Sequence, residues 1–245
     1  MALDAVTPDT PDLFHASDRV RATRLKGSEQ RLVVSFTGVG RRKSKAQPEE
    51  FAGAAHMAGR NHVLFVADRL RSWYNAPGLF EEIIDLVESY KRTHKIADVM
   101  TLGEGMGGYG AILFARALGA QNSVSFSAQY SVDPKVVPEE GRWLEYRARI
   151  THFTRPPLET VLSEDCTYFA VHTHSDQDKP HWARFPRAAH MDHYLAGHSE
   201  ASLTRKMASE GKLHGIVHCG ILGRPVAFRR GLKEVFDTLR QVDKP

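Results

Sequence analysis

The chain predicts an α/β protein built on a doubly wound, mostly parallel sheet. Three observations carry that expectation. Short β-branched and aromatic runs recur along the first half, they alternate with stretches of helical period, and the length of 245 residues suits one α/β domain with one core.

The first run, "RLVVSFTG" (31–38), reads as a buried strand entering a glycine turn, and "HVLFVAD" (62–68), "IADVMTLG" (96–103) and "SVSFSAQ" (123–129) repeat its form. Between the second and third lies "GLFEEIIDLVESYKRTH", where Phe80, Ile83, Ile84, Val87 and Tyr90 recur at three- and four-residue steps, the mark of an amphipathic helix. "GGYGAILFARALGA" supplies a more thoroughly apolar helix after the third, as expected of one packed on a sheet. Residues 130–165, rich in Pro, Glu and Arg, break the rhythm and are expected to form a short lid-like excursion within the single domain 1–245. "CTYFAVHTHSD" and "AAHMDHYLAGH" read as further strands. A helix over 200–210 ended by Gly211, and a last helix on "GLKEVFDTLRQV" with Leu232, Val235, Phe236, Leu239 and Val242 on one face, complete the expectation.

Composition narrows the function classes. Hydrophobic content of 42% and charged content of 25% match globular proteins, and no apolar run approaches the roughly 18 residues of a membrane span. The opening "MALDAVTPDTPDLF" shows no basic leader or apolar core of a signal peptide, so a cytoplasmic location is expected. A formal charge of +4 without a helix-turn-helix, zinc-finger or RNP-like signature gives no reason to expect nucleic acid as a partner. Cys166 and Cys219 lie far apart, form no C-x-x-C and read as core thiols.

The chemistry concentrates at "LGEGMGGYGA" (102–111). Strand, glycine-rich turn and helix follow one another as in a nucleophile elbow, G-x-S-x-G, whose strained bend projects a serine. Gly103 and Gly107 fill the small flanking positions, and Gly105 stands at the nucleophile position. Neither a phosphate loop nor a dinucleotide fingerprint is present.

At this turn the chain resembles the α/β-hydrolase superfamily, whose lipases and esterases often carry S-M-G-G there. The resemblance spans roughly residues 31–210 and includes the order nucleophile, acid, histidine. It implies an acid at Asp178, with Asp176 as the alternative, and a general base at His198 after the last parallel strand. It also implies an oxyanion hole from the N–H of Met106 and that of Gly38 or Val39. Arg41 and Arg42, next to that loop, are candidates for holding an anionic part of the ligand. No cofactor is required. "FSAQYSVDP" resembles hydrolase-like proteins of bacterial polysaccharide gene clusters, which points to an acylated saccharide or another, anionic ester as substrate.

A glycine at position 105 relaxes the bend but offers no nucleophile, and losing the nucleophile of a working triad costs on the order of a millionfold in kcat. Three explanations stand open: an active-site variant of an esterase or acyltransferase, a non-catalytic binding member of the fold as in the cholinesterase-like adhesion proteins, or direct activation of water by His198 and its aspartate. A rival comes from "VHTHSDQD", which resembles the H-x-H-x-D-H of metallo-β-lactamase-fold hydrolases and places His172, His174 and Asp176 in register for zinc. Gln177 occupies the second-histidine slot, and the motif lies late in an alternating chain. Both features weigh against a metal.

Overall fold

The computed structural model describes residues 10–40, 46–197 and 202–245. Among them, nine strands form one sheet: β1 (Asp12–Ala16), β2 (Val20–Leu25), β3 (Arg31–Phe36), β4 (His62–Asp68), β5 (Asp98–Glu104), β6 (Asn122–Phe126), β7 (Thr167–Thr173), β8 (Met191–Ala196) and β9 (Leu239–Gln241). Their order is β1-β2-β4-β3-β5-β6-β7-β8-β9. β3 to β8 run parallel, while β1, β2 and β9 pair antiparallel at the two edges.

The helices follow from the connections a parallel sheet needs. They are α1 (Ala52–His56), α2 (Leu79–His94), α3 (Met106–Leu118), α4 (Leu144–Arg147), α5 (Leu158–Val161), α6 (Lys179–Trp182), α7 (Leu203–Ser209), α8 (Leu213–Ile221) and α9 (Pro225–Lys233). Successive strand residues point to opposite faces, so a strand buried on both sides feeds two cores. On β3, Leu32, Val34 and Phe36 join α2 and α3 in one cluster, whereas Val33 joins the cluster of α1, α7, α8 and α9. The doubly covered parallel sheet is therefore as expected.

α2 buries Leu79, Ile83, Leu86, Val87 and Tyr90, close to the predicted stripe, and carries Glu81 and Glu82 in its first turn and Lys91, Arg92 and His94 in its last. α3 is buried along nearly its whole length. Residues 130–165 hold only the short α4 and α5, and Trp143, Tyr146, Ile150 and Phe153 pack this excursion on the α2–α3 core.

The C-terminal segment corrects the sequence expectation. The last helix ends at Lys233, and Leu239–Gln241 is a strand on the free edge of β8. The i, i+3, i+4 spacing of Leu232, Val235 and Phe236 is real burial, but only Leu232 lies in α9; the other two are buried in the turn beyond it. The edge wins because Thr238 O accepts the N–H of Gly197 at 2.8 Å and the Val242 N–H reaches His193 O at 2.8 Å, pairing groups that a continued helix would leave open. β1, β2, α1 and α8 were not anticipated. α9 also begins six residues before the expected start, at Pro225, a residue suited to a first helical turn.

One loop is held by a single side chain. After β4, the backbone is left-handed at Arg71 (φ 52°), Trp73 (φ 48°) and Tyr74 (φ 61°), each costing roughly 1–3 kcal/mol for a residue with a side chain. Buried Asp68 offsets this by accepting from the N–H groups of Leu70, Ser72 and Tyr74 and from Ser72 Oγ, at 2.7–3.1 Å. An amide can accept at only one of its two positions. Asp68→Asn is accordingly expected to lower the unfolding free energy by about 2 kcal/mol, measured by urea denaturation; unchanged stability would show that the loop does not need the carboxylate.

Candidate functional site

The turn between β5 and α3 is the sharpest feature at the carboxyl ends of the parallel strands. Gly105 has φ 58° and ψ −119°, donates its N–H to Phe126 O at 2.9 Å and accepts from the Tyr109 N–H at 3.0 Å. The three glycines serve different needs. A Cβ at Gly103 would fall on the backbone of Gly107, and one at Gly107 would fall on the carbonyl of Phe36, so strand and helix touch backbone to backbone. A Cβ at Gly105 would meet nothing within 4 Å among the described residues. Against these the bend has room for a side chain, and the obstacle it presents is a positive φ.

That space opens into a cleft of about 580 Å³, lined by Glu104, Gly105, Ser127, Gln129, Arg142, Trp143, Thr173, Asp176, Asp178 and Ser202 among others. Asp178 is buried at its wall. Its Oδ2 accepts from Ser127 Oγ at 2.9 Å, Thr173 Oγ1 at 2.8 Å and the Thr173 N–H at 3.1 Å, while Oδ1 faces Arg142 at 3.6 Å. Burial opposes the charge, but the Thr173 hydrogen bonds and the Arg142 guanidinium help to outweigh it and hold the carboxyl below the usual aspartate range. Asp176 lies exposed at the rim. Of the two aspartates only Asp178 is fixed in orientation.

Arg142 is a cleft residue that sequence reasoning missed. Glu140, buried beneath it, accepts from Arg142 Nε and Nη2 at 2.7–3.0 Å, from Gln129 Nε2 at 3.2 Å and from His181 Nε2 at 2.7 Å. His181 Nδ1 accepts the Tyr130 N–H at 3.1 Å, which fixes the ring as the Nε2–H tautomer, and Trp73 Nε1 donates to Gln129 Oε1 at 2.7 Å. Burial opposes the charge on Glu140, yet the bonds from His181 and Arg142 hold it well below the usual glutamate range. The guanidinium is thereby locked over the cleft between two carboxylates. No motif announced this arrangement; the run "PEEGRW" was the only trace of it.

The oxyanion candidates are also placed. Met106 begins α3, where an N–H has no partner within the helix. The Gly38 N–H is already given to Glu50 Oε2 at 3.0 Å, and Gly38 O accepts from Gln47 Nε2 at 2.8 Å. Val39 is anchored through its carbonyl, which accepts Arg71 Nε at 2.9 Å. With Gly38 engaged, Val39 has the better claim to pair with Met106. Two carboxyls gather below: Glu104 accepts from Thr204 Oγ1 at 2.6 Å and is raised by burial, and Glu50 is pushed up to about 7 by burial and by the charge of Glu104.

His198, Arg41 and Arg42 lie outside the described residues. The zinc arrangement is not formed. His172 is fully buried, with Nε2 on Ala128 O at 2.8 Å and Nδ1 on His193 Nε2 at 2.9 Å, so both ring nitrogens are engaged, while His174 and Asp176 are exposed. Burial drives both rings of the His172–His193 pair toward the neutral form. Among the described residues no group of three or more His, Cys, Asp or Glu side chains could hold a metal ion.

No protein-family model matches the chain, and no curated protein does either. Solved structures do. The capsule O-acetyltransferase of Neisseria meningitidis serogroup A superposes with a TM-score of 0.58 at 12% identity, covering 82% of this chain and 93% of its own. A sugar hydrolase from Lactococcus lactis gives 0.56 at 13% identity, with 92% and 100% covered. An alpha-beta serine hydrolase homologue from Coxiella burnetii gives 0.50 at 11%, with 93% and 99% covered. The chain has the α/β-hydrolase fold, a scaffold shared by hydrolases and an O-acetyltransferase. No helix among the described residues is long and apolar enough to cross a membrane.

Two stability measurements check this geometry. Gly107→Ala forces a methyl group into the Phe36 carbonyl and is expected to cost about 3 kcal/mol or more, whereas Gly105→Ala meets only the φ strain and costs about 1 kcal/mol; equal losses would contradict the close approach. Glu50 binds its proton more tightly folded than unfolded, so its stability contribution is greatest below about pH 4.5 and is lost as pH rises toward about 7. Glu50→Gln, which still accepts from Gly38, should therefore gain stability relative to the parent by on the order of 1 kcal/mol more at pH 8 than at pH 5. A difference independent of pH would remove the buried carboxyl from the account.

Proposed function

We propose that the cleft above Gly105 binds an O-acylated saccharide, on a scaffold built for ester hydrolysis or acyl transfer, and that the chain as it stands has no covalent route to turnover. The observation carrying this reading is the elbow bend itself. Its vacant Cβ direction opens into a cleft whose wall holds an oriented, ionised aspartate.

The lining argues for a neutral, hydroxyl-rich ligand. Among the described residues, three carboxyl side chains, of Glu104, Asp176 and Asp178, face one guanidinium that Glu140 and Asp178 already engage, so these residues leave little positive charge for an anion. Gln129, Ser127, Thr173 and Ser175 add donors and acceptors, and Trp143 offers a ring against which a sugar can lie. Two structures similar to this chain, a capsule O-acetyltransferase and a sugar hydrolase, support the same substrate class.

In the acylating form of this site a serine at position 105 would attack the ester carbonyl. His198 would take its proton, Asp178 would orient that ring, and the N–H groups of Met106 and Val39 would receive the oxyanion. With glycine there, the first step has no nucleophile, and binding without turnover remains. Glycine also removes the strain that a serine would carry, which favours a binding form.

The test is Gly105→Ser, assayed on acetylated oligosaccharides and on chromogenic acyl esters. The serine form is expected to hydrolyse them at least ~100-fold faster than the parent and to react with a fluorophosphonate probe. His198→Ala and Asp178→Asn in that background should each remove most of the gain, whereas Asp176→Asn should not. A serine form that stays inert and unlabelled, or whose activity survives His198→Ala, would overturn the reading.

A further inference from the structure

A second cleft, of about 570 Å³, lies between the Asp68-pinned loop and the excursion. Its charge is opposite in character to that of the first. Arg69 and Arg71 enter from the loop, Arg149 and Arg155 from the excursion, and Glu81 is the single carboxylate among the lining residues described.

We propose that this cleft binds a phosphate or diphosphate group of a small ligand. The inference goes beyond the function proposed above and does not depend on it.

The first support is unneutralised charge. Arg69, Arg149 and Arg155 make no ion pair among the described residues, although Glu81 lines the same space. Arg69 donates to the carbonyl of Ser17, and Arg155 to Thr154 Oγ1 at 3.1–3.3 Å, so both are held by neutral acceptors. The guanidinium carbons of Arg71 and Arg149 lie 5.1 and 5.5 Å from the centroid of the one Tyr146 ring. Two like charges are thus held within roughly a Debye length of each other. An anion between the walls would lower this repulsion.

The second support is that the walls are built. Arg71 is buried, with Nε on Val39 O at 2.9 Å and Nη1 on Arg69 O at 3.3 Å. Asn75, also buried, ties loop to excursion: its Oδ1 accepts the N–H groups of Thr154 at 2.7 Å and Arg155 at 3.1 Å, while its Nδ2 donates to Ser72 O and Trp73 O at 3.0 Å. The left-handed residues at 71, 73 and 74 belong to this same wall.

Chemistry selects phosphate over carboxylate. A guanidinium fork matches two oxygens of either group, but a carboxylate would neutralise only one of these cations. A phosphate monoester or a diphosphate carries the two or more negative charges that Arg69, Arg149 and Arg155, set against Glu81, leave over. Leu70, Ala76, Pro77 and Ile150 line the rest, a surface suited to the uncharged part of the ligand.

The experiment is titration calorimetry of the full chain at low salt with inorganic pyrophosphate, ADP and glucose 1-phosphate in separate arms. Pyrophosphate is expected to bind one per chain, weakening as salt is raised. The double variant Arg149→Ala/Arg155→Ala should raise its Kd about tenfold or more, with an unchanged far-UV spectrum, and Glu81→Gln should lower it several-fold. ADP as the tightest ligand would assign the phosphate to a nucleotide, and glucose 1-phosphate as the tightest would assign it to a phosphorylated saccharide. No binding at millimolar pyrophosphate, or equal affinity in the double variant, would overturn the proposal.

Discussion

The contact on which the site depends is the backbone-to-backbone approach of α3 to the sheet. Gly107 lies against the carbonyl of Phe36 at the end of β3, and Gly103 lies against Gly107 across the bend. That approach brings the amino end of α3 over the carboxyl edge of the parallel strands, where the exits of β3, β5, β6 and β7 converge. Any side chain at either glycine would lift the helix away. The Gly105 N–H would then lose Phe126 O, and the bend would lose its direction.

From this bend the polar residues extend outward as one connected set. Ser127 follows β6 and Thr173 ends β7, and both donate to Asp178. Asp178 faces Arg142, which Glu140 holds, and Glu140 is braced in turn by His181 and Gln129. Trp73 closes the chain from the loop after β4, so three strand exits, those of β4, β6 and β7, contribute to a single hydrogen-bonded arrangement. Buried charge of this kind is expensive unless each group is satisfied, and here the two carboxylates share one guanidinium and several neutral donors. The same loop, through Arg71, supports the Val39 carbonyl on one side and the arginine-lined cleft on the other. The two clefts are thus walls of one rigid loop with opposite electrostatic character.

Much of the fold was legible because its strands are buried on both faces and its helices on one. Such burial leaves apolar runs and three-to-four spacing that need no partner to be recognised, as at "RLVVSFTG" and α2. The elbow was legible for a related reason, since close backbone contact demands glycines at fixed offsets. The C-terminus misled because Leu232, Val235 and Phe236 are buried with helical spacing although the helix stops at Lys233; a sequence window cannot see that the edge of β8 is waiting for a partner. β1 is exposed or half-buried throughout, and β2 (VRATRL) is mostly buried but interrupted by two arginines, so neither leaves an apolar run. Asp178 could be preferred to Asp176 from its place before a helix, but its donors come from residues 5 and 51 positions away, which no local pattern records. Arg142, Glu50 and Glu104 escaped for the same reason. A carboxyl or guanidinium in a loop looks solvated until the fold closes over it.

The glycine at 105 can be weighed against its neighbours. If the turn were only a connection, relief of strain would be the whole account of Gly105, and nothing would require an ionised aspartate to be buried beside it. Yet Asp178 is held there against the cost of desolvation, oriented by three donors on one oxygen with the other facing Arg142. Asp68, which holds a loop, also takes three donors on Oδ2, but its Oδ1 has a full hydrogen bond of its own, from the Leu70 N–H at 3.0 Å. Asp178 instead leaves Oδ1 to a guanidinium at 3.6 Å, a weak contact that a better partner can displace. That weakly held oxygen is the one the proposed acid role would use. The arrangement persists in a chain whose bend has room for a side chain and carries none.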